Sequence, residues 1–248
     1  PSLLSCQYST ITSIRPLPGP EEGKTITACN LAVVMAASGL RVLLVDADLR
    51  RPKVHQVFGL ENRLGLTTLL SANPARSFSN GEEDDDFRKC LQETPIPGLR
   101  VVTSGFIPSN PTEVLGSALM QRWFQVFLSS QNVDVVLFDT PPALFMADCA
   151  ALAATTNAPV VMVLEAGRTR RSAALKAKEQ FAQLNVNVQG VVLNQVKPSE
   201  QGYSYGYGYY YYYYSSEVDM PAHRNVWRRL WARNGKVKPQ ERKEEEVR

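Results

Sequence analysis

VLLVDADLRRP, Val42–Pro52, opens with an unbroken apolar run and closes with two carboxylates and two arginines. Continuous apolar character, as opposed to alternation, is what a strand covered on both faces of a parallel sheet requires. The run predicts a strand over 41–46 that delivers Asp46 and Asp48 to its carboxyl end, the edge where doubly wound sheets bind ligands. Two carboxylates this close need positive charge beside them. A Mg²⁺-nucleotide supplies it, and Arg50 and Arg51 are candidates to add more. Taken alone, the run also fits a solvated turn with surface ion pairs.

The stretch upstream favours the nucleotide. PEEGKT, Pro20–Thr25, follows a strand expected over Ser9–Ile14 and opens a helix expected over Thr25–Ser38, with Gly39 as its C-cap. Gly23 leaves room for a phosphate beside the backbone and the following N–H groups point at it from the helix N-terminus. Lys24 adds charge, and the Thr25 hydroxyl is a Mg²⁺ ligand. The spelling departs from GxxxxGK[ST], since Pro18 stands where the first glycine belongs and Gly19 is one residue too close. Downstream, VVLFDTPP (Val135–Pro142) ends another apolar run at Asp139, a Walker B position suited to holding Mg²⁺.

Further strands are expected over Leu99–Thr103, Val133–Asp139, Pro159–Leu164 and Val188–Leu193, and further helices over Thr112–Ser129, Asp148–Thr155 and Arg171–Leu184. Strand alternating with helix predicts an α/β fold: a right-handed, doubly wound, mostly parallel sheet flanked by helices. Residues 71–86, SANPARSFSNGEEDDD, read as a solvated loop or helix start.

Composition narrows the function classes. The chain has 248 residues, 44% hydrophobic and 21% charged, which excludes a wholly disordered chain. No apolar run is long enough to span a membrane and no secretory leader heads the sequence. Cys6, Cys29, Cys90 and Cys149 are scattered without a CxxC pair, against a zinc site or disulfide framework and in favour of a reducing cytoplasm. Nine Lys/Arg against six Asp/Glu between Glu217 and Arg248 account for the entire net charge of +3, so residues 1–216 are neutral. A neutral body argues against nucleic acid as a partner.

The C-terminal part is compositionally distinct. QGYSYGYGYYYYYYSS, residues 201–216, holds nine of the ten tyrosines: Tyr203, Tyr205, Tyr207, Tyr209, Tyr210, Tyr211, Tyr212, Tyr213 and Tyr214. Without aliphatic residues and with three glycines it is expected to build no core and to form a flexible tail. Beyond it, HRNVWRRLWAR (His223–Arg233) has two readings, an amphipathic membrane-surface helix or a short helix docking on protein. The expected organisation is a nucleotide-binding domain over 1–200, the tyrosine segment over 201–216 and a basic tail over 217–248.

PEEGKT, VLLVDADLRRP and VVLFDTPP together resemble the Walker A, A′ and B motifs of the bacterial protein-tyrosine kinases, the P-loop enzymes of capsule and exopolysaccharide production. GLTTLL (Gly65–Leu70) and SGFIPSNPTEVL (Ser104–Leu115) look like further segments of that family, so the resemblance covers roughly residues 9–200. It implies a P-loop NTPase fold of the MinD/ParA type, ATP and Mg²⁺ as cofactors, and autophosphorylation of the tyrosine cluster. It further implies that Glu22, Gly23, Lys24, Thr25 and Ile26 bind the nucleotide, that Asn194 at the end of GVVLN contacts adenine, and that Asp46 helps activate the attacking hydroxyl. Asp48, Asp139 and Thr25 would organise the metal. Implied partners are further copies of the chain, arranged as a ring with trans-phosphorylation, and a membrane activator of the polysaccharide co-polymerase type that holds the chain at the inner membrane. Two departures stand out: Leu17 occupies the family's usual serine position, and the family's ExxRxxR helix would lie before the first residue.

Two rivals share parts of this reading. A switch ATPase that positions division sites or plasmids has the same fold and motifs, but usually carries a second lysine early in the loop, where this chain has PGPEEGKT. A non-enzymatic nucleotide-binding scaffold would use the tyrosines for aromatic assembly.

Overall fold

Residues 7–13, 23–71, 85–130, 132–144 and 146–196 are described by a computed structural model, all within the unit that ends at Lys197. The strands are β1 (Gln7–Ser13), β2 (Val42–Asp46), β3 (Leu91–Glu93), β4 (Leu99–Val102), β5 (Val135–Asp139), β6 (Val160–Glu165) and β7 (Val188–Asn194). They form one sheet in the order β3-β4-β2-β5-β1-β6-β7, parallel throughout except for the β3–β4 pair. All six strands expected from sequence are present. The three-residue β3 is an addition: LQE is too short and too polar to stand out, and it exists because it pairs antiparallel with β4.

The helices are α1 (Lys24–Ala37), α2 (Val54–Phe58), α3 (Leu66–Leu70), α4 (Asp85–Cys90), α5 (Pro111–Leu115), α6 (Ala118–Ser129), α7 (Asp148–Thr156) and α8 (Arg171–Gln183). The helix expected over Thr112–Ser129 is two helices. The chain turns at Gly116, and Ser117 caps α6 afresh, its hydroxyl oxygen accepting from Met120 N at 3.1 Å. After α1, Gly39 takes φ +93°, the left-handed conformation expected just past a helix end.

Every residue of β2 and of β5 is buried, as their continuous apolar runs require. Leu43 and Val45 join Phe138, Phe87, Trp123 and Phe127 in the core formed with α3, α4 and α6. Val42 and Leu44 alternate to the opposite face, where α1 packs on β2 and β5 through its small residues Ala28, Ala32 and Ala36. Trp123 donates its indole N–H to Leu69 O at 2.9 Å, so the largest buried side chain leaves no polar atom stranded. β7 departs from expectation. It is apolar but sits at a sheet edge, pairing among the described residues with β6 alone, and Val191 and Leu193 are exposed.

Two loops at the carboxyl edge are stitched together. Leu66 N donates to Thr103 O at 2.7 Å, Thr67 N to Ser104 O at 2.9 Å, and the Asn62 side chain caps Gly105 from both sides. A Cβ at Gly65 would lie 2.1 Å from Thr103 O, so glycine is what allows the backbones this approach.

Among the described residues Cys29, Cys90 and Cys149 are buried free thiols. Among the described residues no helix is long and apolar enough to cross a membrane.

Candidate functional site

The order of strands decides what meets at the carboxyl edge. β5 lies between β2 and β1, with Asp46 the register partner of Asp139 on one side and Ile11 its partner on the other. The chain leaving β1 enters α1 at Gly23, so the first turn of α1 stands over the ends of β2 and β5. Gly23 has φ +79° and carries no side chain into that space. α1 has no acidic residue of its own in its first turn, so anions that meet the positive end of this 14-residue helix come from elsewhere in the fold.

Lys24 is the centre of the arrangement. Its Nζ donates to Asp139 Oδ1 at 2.8 Å and to Asp48 Oδ2 at 3.4 Å, and it lies 3.3 Å from Thr25 Oγ1. Thr25 in turn donates its hydroxyl to Asp139 Oδ2 at 2.7 Å. Four residues from three segments, separated by up to 115 positions, thus share one buried network. Burial alone would depress the Lys24 ammonium, but Asp139 and then Asp48 outweigh it and hold its pKa above the usual lysine value. Asp139 is pushed above the ordinary carboxylate range by burial, against the pull of Lys24.

Asp46 is fully buried and works on its own loop. Its Oδ2 accepts from Lys53 N and Val54 N, both at 3.1 Å, and its Oδ1 from Asp48 N at 3.2 Å. Burial first, and then the charge of Asp139, raise its pKa to about 8. Asp48 Oδ1 accepts from Arg51 N at 3.0 Å, which leaves Oδ2 to face Lys24.

The expectation that the Arg50 and Arg51 side chains neutralise Asp46 and Asp48 holds in part: the charge of Arg50 reaches Asp48, but its hydrogen bonds go elsewhere. Arg50 grips Asp148 with both arms of its guanidinium, Nε to Oδ2 at 2.6 Å and Nη2 to Oδ1 at 3.0 Å. Arg51 meets Asp48 through its backbone N–H. Sequence reasoning missed Asp148 and Thr112, whose hydroxyl donates to Asp148 Oδ1. The only available signal was an aspartate opening an expected helix, which reads as an ordinary dipole partner.

Asn194, at the end of β7, is brought to the phosphate loop: a Cβ on Gly23 would lie 2.4 Å from its Nδ2. Ile26 is in the first turn of α1 with its side chain exposed. Glu22 and the nine tyrosines from Tyr203 to Tyr214 lie outside the described residues.

The donor set fits a magnesium nucleotide. Two carboxylates, Asp48 and Asp139, meet one ammonium, a deficit of positive charge that a dication corrects. Among the described residues no three His, Cys, Asp or Glu side chains converge into a metal cage. Mg²⁺ does not need one, since it commonly takes one or two carboxylates together with phosphates and retained water.

Comparison with known proteins agrees with this geometry. Residues 20–208 match the CobQ/CobB/MinD/ParA nucleotide binding domain. Tyrosine-protein kinase YwqD of Bacillus subtilis is 40% identical over 187 residues, 74% of this chain and 73% of that protein. Tyrosine-protein kinase CpsD of Streptococcus agalactiae is 35% identical over 78% of this chain and 77% of its own length. For the putative tyrosine-protein kinase EpsB of Ralstonia solanacearum, 37% identical, the match spans only 23% of that longer protein. Among solved structures, the kinase domain of Escherichia coli tyrosine kinase ETK superposes with a TM-score of 0.66 at 29% identity, covering 83% of this chain and 74% of that one. The Pyrococcus furiosus cell division ATPase MinD (TM-score 0.56, 21% identity, 78% and 74% covered) shares the fold. The chain belongs to the bacterial tyrosine-protein kinases built on the CobQ/CobB/MinD/ParA nucleotide-binding domain.

Proposed function

We propose that this kinase uses ATP and Mg²⁺ to phosphorylate the tyrosines of its own residues 201–216 and thereby regulates capsule or exopolysaccharide polymerisation and export. The observation that carries the reading is Lys24 held between Asp139 and Asp48, with Thr25 on the second oxygen of Asp139, at the N-terminus of α1. In this reading Gly23, Lys24, Thr25, Ile26 and Glu22 surround the phosphates, Asn194 meets the adenine side, and Thr25, Asp48 and Asp139 hold the metal.

Phosphoryl transfer asks mainly for positioning and charge neutralisation. Mg²⁺ held by Thr25, Asp48 and Asp139 would supply charge neutralisation to the phosphate oxygens. Lys24 contributes a second cation to the same oxygens, and the backbone N–H groups after Gly23 orient them. A tyrosine hydroxyl has a reference pKa of about 10, and a carboxylate is a weak base towards it. Asp46 therefore acts by orienting the hydroxyl and accepting its proton late. Its three backbone hydrogen bonds, one to Oδ1 and two to Oδ2, fix its orientation and leave an acceptor position on Oδ1 for the hydroxyl.

The proposed organisation is a catalytic domain over 1–200, an acceptor segment over 201–216 and a basic tail over 217–248. Acceptors then come from neighbouring copies in a homo-oligomeric ring. Each phosphate adds about −1.5 to −2 charges, so a multiply modified segment repels itself and favours dissociation. A membrane protein of the polysaccharide co-polymerase type serves as activator and keeps the cytoplasmic kinase at the inner membrane. The test is intact-mass spectrometry of the protein and of Lys24→Met, before and after tyrosine phosphatase, with peptide mapping of residues 200–216. Several phosphatase-sensitive phosphates in that segment, absent from the variant, are expected. An unmodified protein that hydrolyses ATP in the presence of activator fragments would overturn the reading.

A further inference from the structure

Two loops carry the carboxylates that face Lys24. The first runs from β2 to α2 and contains Asp48; the second runs from β5 to α7, with Asp139 at its start and Asp148 at its end. Lys24 bridges them on one side, 2.8 Å from Asp139 Oδ1 and 3.4 Å from Asp48 Oδ2. A second bridge joins the same two loops elsewhere. Arg50, two residues past Asp48, holds Asp148 through two hydrogen bonds of 2.6 and 3.0 Å. Asp48, Lys24, Asp139, Asp148 and Arg50 therefore form a closed circuit. Thr112 of α5 pins its far corner, donating to Asp148 Oδ1 and lying 3.3 Å from Arg50 Nη2.

The two bridges differ in permanence. Lys24 is the cation that must turn to phosphate oxygens when nucleotide binds, and its hold on the carboxylates is given up to the extent that it does so. The hydrogen bonds of the Arg50–Asp148 bridge involve neither Lys24 nor Thr25, and Asp148 has no exposed surface. A buried carboxylate in a two-point guanidinium grip, at the positive end of α7, is a stiff joint, because releasing it would strand a charge without water. SNPTEVL, which the binding of nucleotide leaves without a task, acquires one here: it delivers the Thr112 hydroxyl to this joint.

We propose, on the reading of Asp48 and Asp139 as the carboxylates that hold the metal, that Arg50, Asp148 and Thr112 are positioning residues forming a permanent brace, which keeps Asp48 and Asp139 in register while Lys24 changes partners. None of the three touches the reacting groups. Their loss blunts metal binding and leaves the metal-independent part of nucleotide binding in place.

The test is a fluorescence titration of the full chain with N-methylanthraniloyl-ADP, first in EDTA and then with rising Mg²⁺, on the unaltered protein, Arg50→Lys and Thr112→Val. Lysine keeps a cation beside Asp148 and so preserves folding, but it lacks the two-point fork. The affinity in EDTA should stay within about twofold, while the Mg²⁺ needed for half the metal-dependent change rises about tenfold in Arg50→Lys and by a smaller factor in Thr112→Val, as for other outer contacts of a metal site. An unchanged Mg²⁺ requirement in Arg50→Lys overturns the brace. An equal loss of binding in EDTA overturns it too, since that marks general damage to the site. If Asp139→Asn keeps the full Mg²⁺ response, the assignment of the carboxylates fails, and the brace with it.

Discussion

Lys24 Nζ lies 2.8 Å from Asp139 Oδ1, an ammonium and a carboxylate 115 positions apart in sequence and both buried. Their pairing makes the site sensitive to mutation. Removing the lysine strands Asp139 and deprives Asp48 of its partner. We expect Lys24→Met to lower the unfolding free energy of the nucleotide-free protein by about 3–5 kcal/mol, the usual cost of breaking a buried pair from one side. Adding Asp139→Asn should recover part of that loss. Urea unfolding of both single variants and the double variant checks the non-additivity.

Gly23 predicts a different kind of sensitivity. An alanine there meets φ +79°, a conformation costing roughly 1–2 kcal/mol for a residue with a Cβ, and collides with Asn194 Nδ2 as well. Gly23→Ala should therefore impair nucleotide binding severely. Gly23→Ala with Asn194→Ala should regain some of it, because the collision goes and the backbone strain stays. Nucleotide titrations by calorimetry separate the two contributions.

Gly65 isolates steric cost from backbone strain. Its φ of −177° is open to any residue, yet an added Cβ would lie 2.1 Å from Thr103 O and 2.5 Å from Gly105 N. Neither is a side chain that can swing aside. Gly65→Ala is expected to destabilise by more than the roughly 1 kcal/mol typical of point changes, and to increase hydrogen exchange at the amides of Leu66, Thr67 and Gly105.

At the opposite edge of the sheet, Arg41 donates from its backbone N–H at 2.8 Å and from Nε at 2.9 Å to Asp134 Oδ2. These bonds, side chain first, lower the Asp134 pKa to about 2. A depressed folded-state pKa gives stability that is present above the unfolded value of about 4 and is lost as pH falls through the folded one. Asp134→Asn should thus be less stable than the unaltered protein at pH 5 and should converge with it near pH 2. The pair is partly exposed, so added salt should shrink the difference at pH 5. Thermal unfolding at the two pH values and two salt concentrations checks both.

The sheet was legible because β2 and β5 are buried on both faces, and uninterrupted apolar runs record that burial directly. Lys24, Asp48 and Asp139 were legible for a related reason: each sits at a fixed offset from a strand end or helix start, so local pattern is enough to place it at the edge. Asp148 and Thr112 were not, because what makes them partners is α5 packing on α7, a contact between segments that no local period records. Arg50 misled in the same way. Neighbourhood along the chain suggested Asp46 and Asp48, whereas Asp46 takes its hydrogen bonds from backbone N–H groups and the guanidinium fork closes on Asp148. The division of Thr112–Ser129 escaped because its apolar content continues across Gly116 and only the cap at Ser117 marks a restart.

That restart separates foundation from fitting. α6 is anchored in the aromatic cluster of Phe87, Trp123 and Phe127, with the Phe87 and Phe127 rings 5.2 Å apart. Were α5 and α6 one rod, each adjustment of that cluster would turn Thr112 about the shared axis by an angle it could not resist. The break at Gly116 gives the two helices separate axes, so the aromatic cluster sets the course of α6 and does not by itself aim the Thr112 hydroxyl.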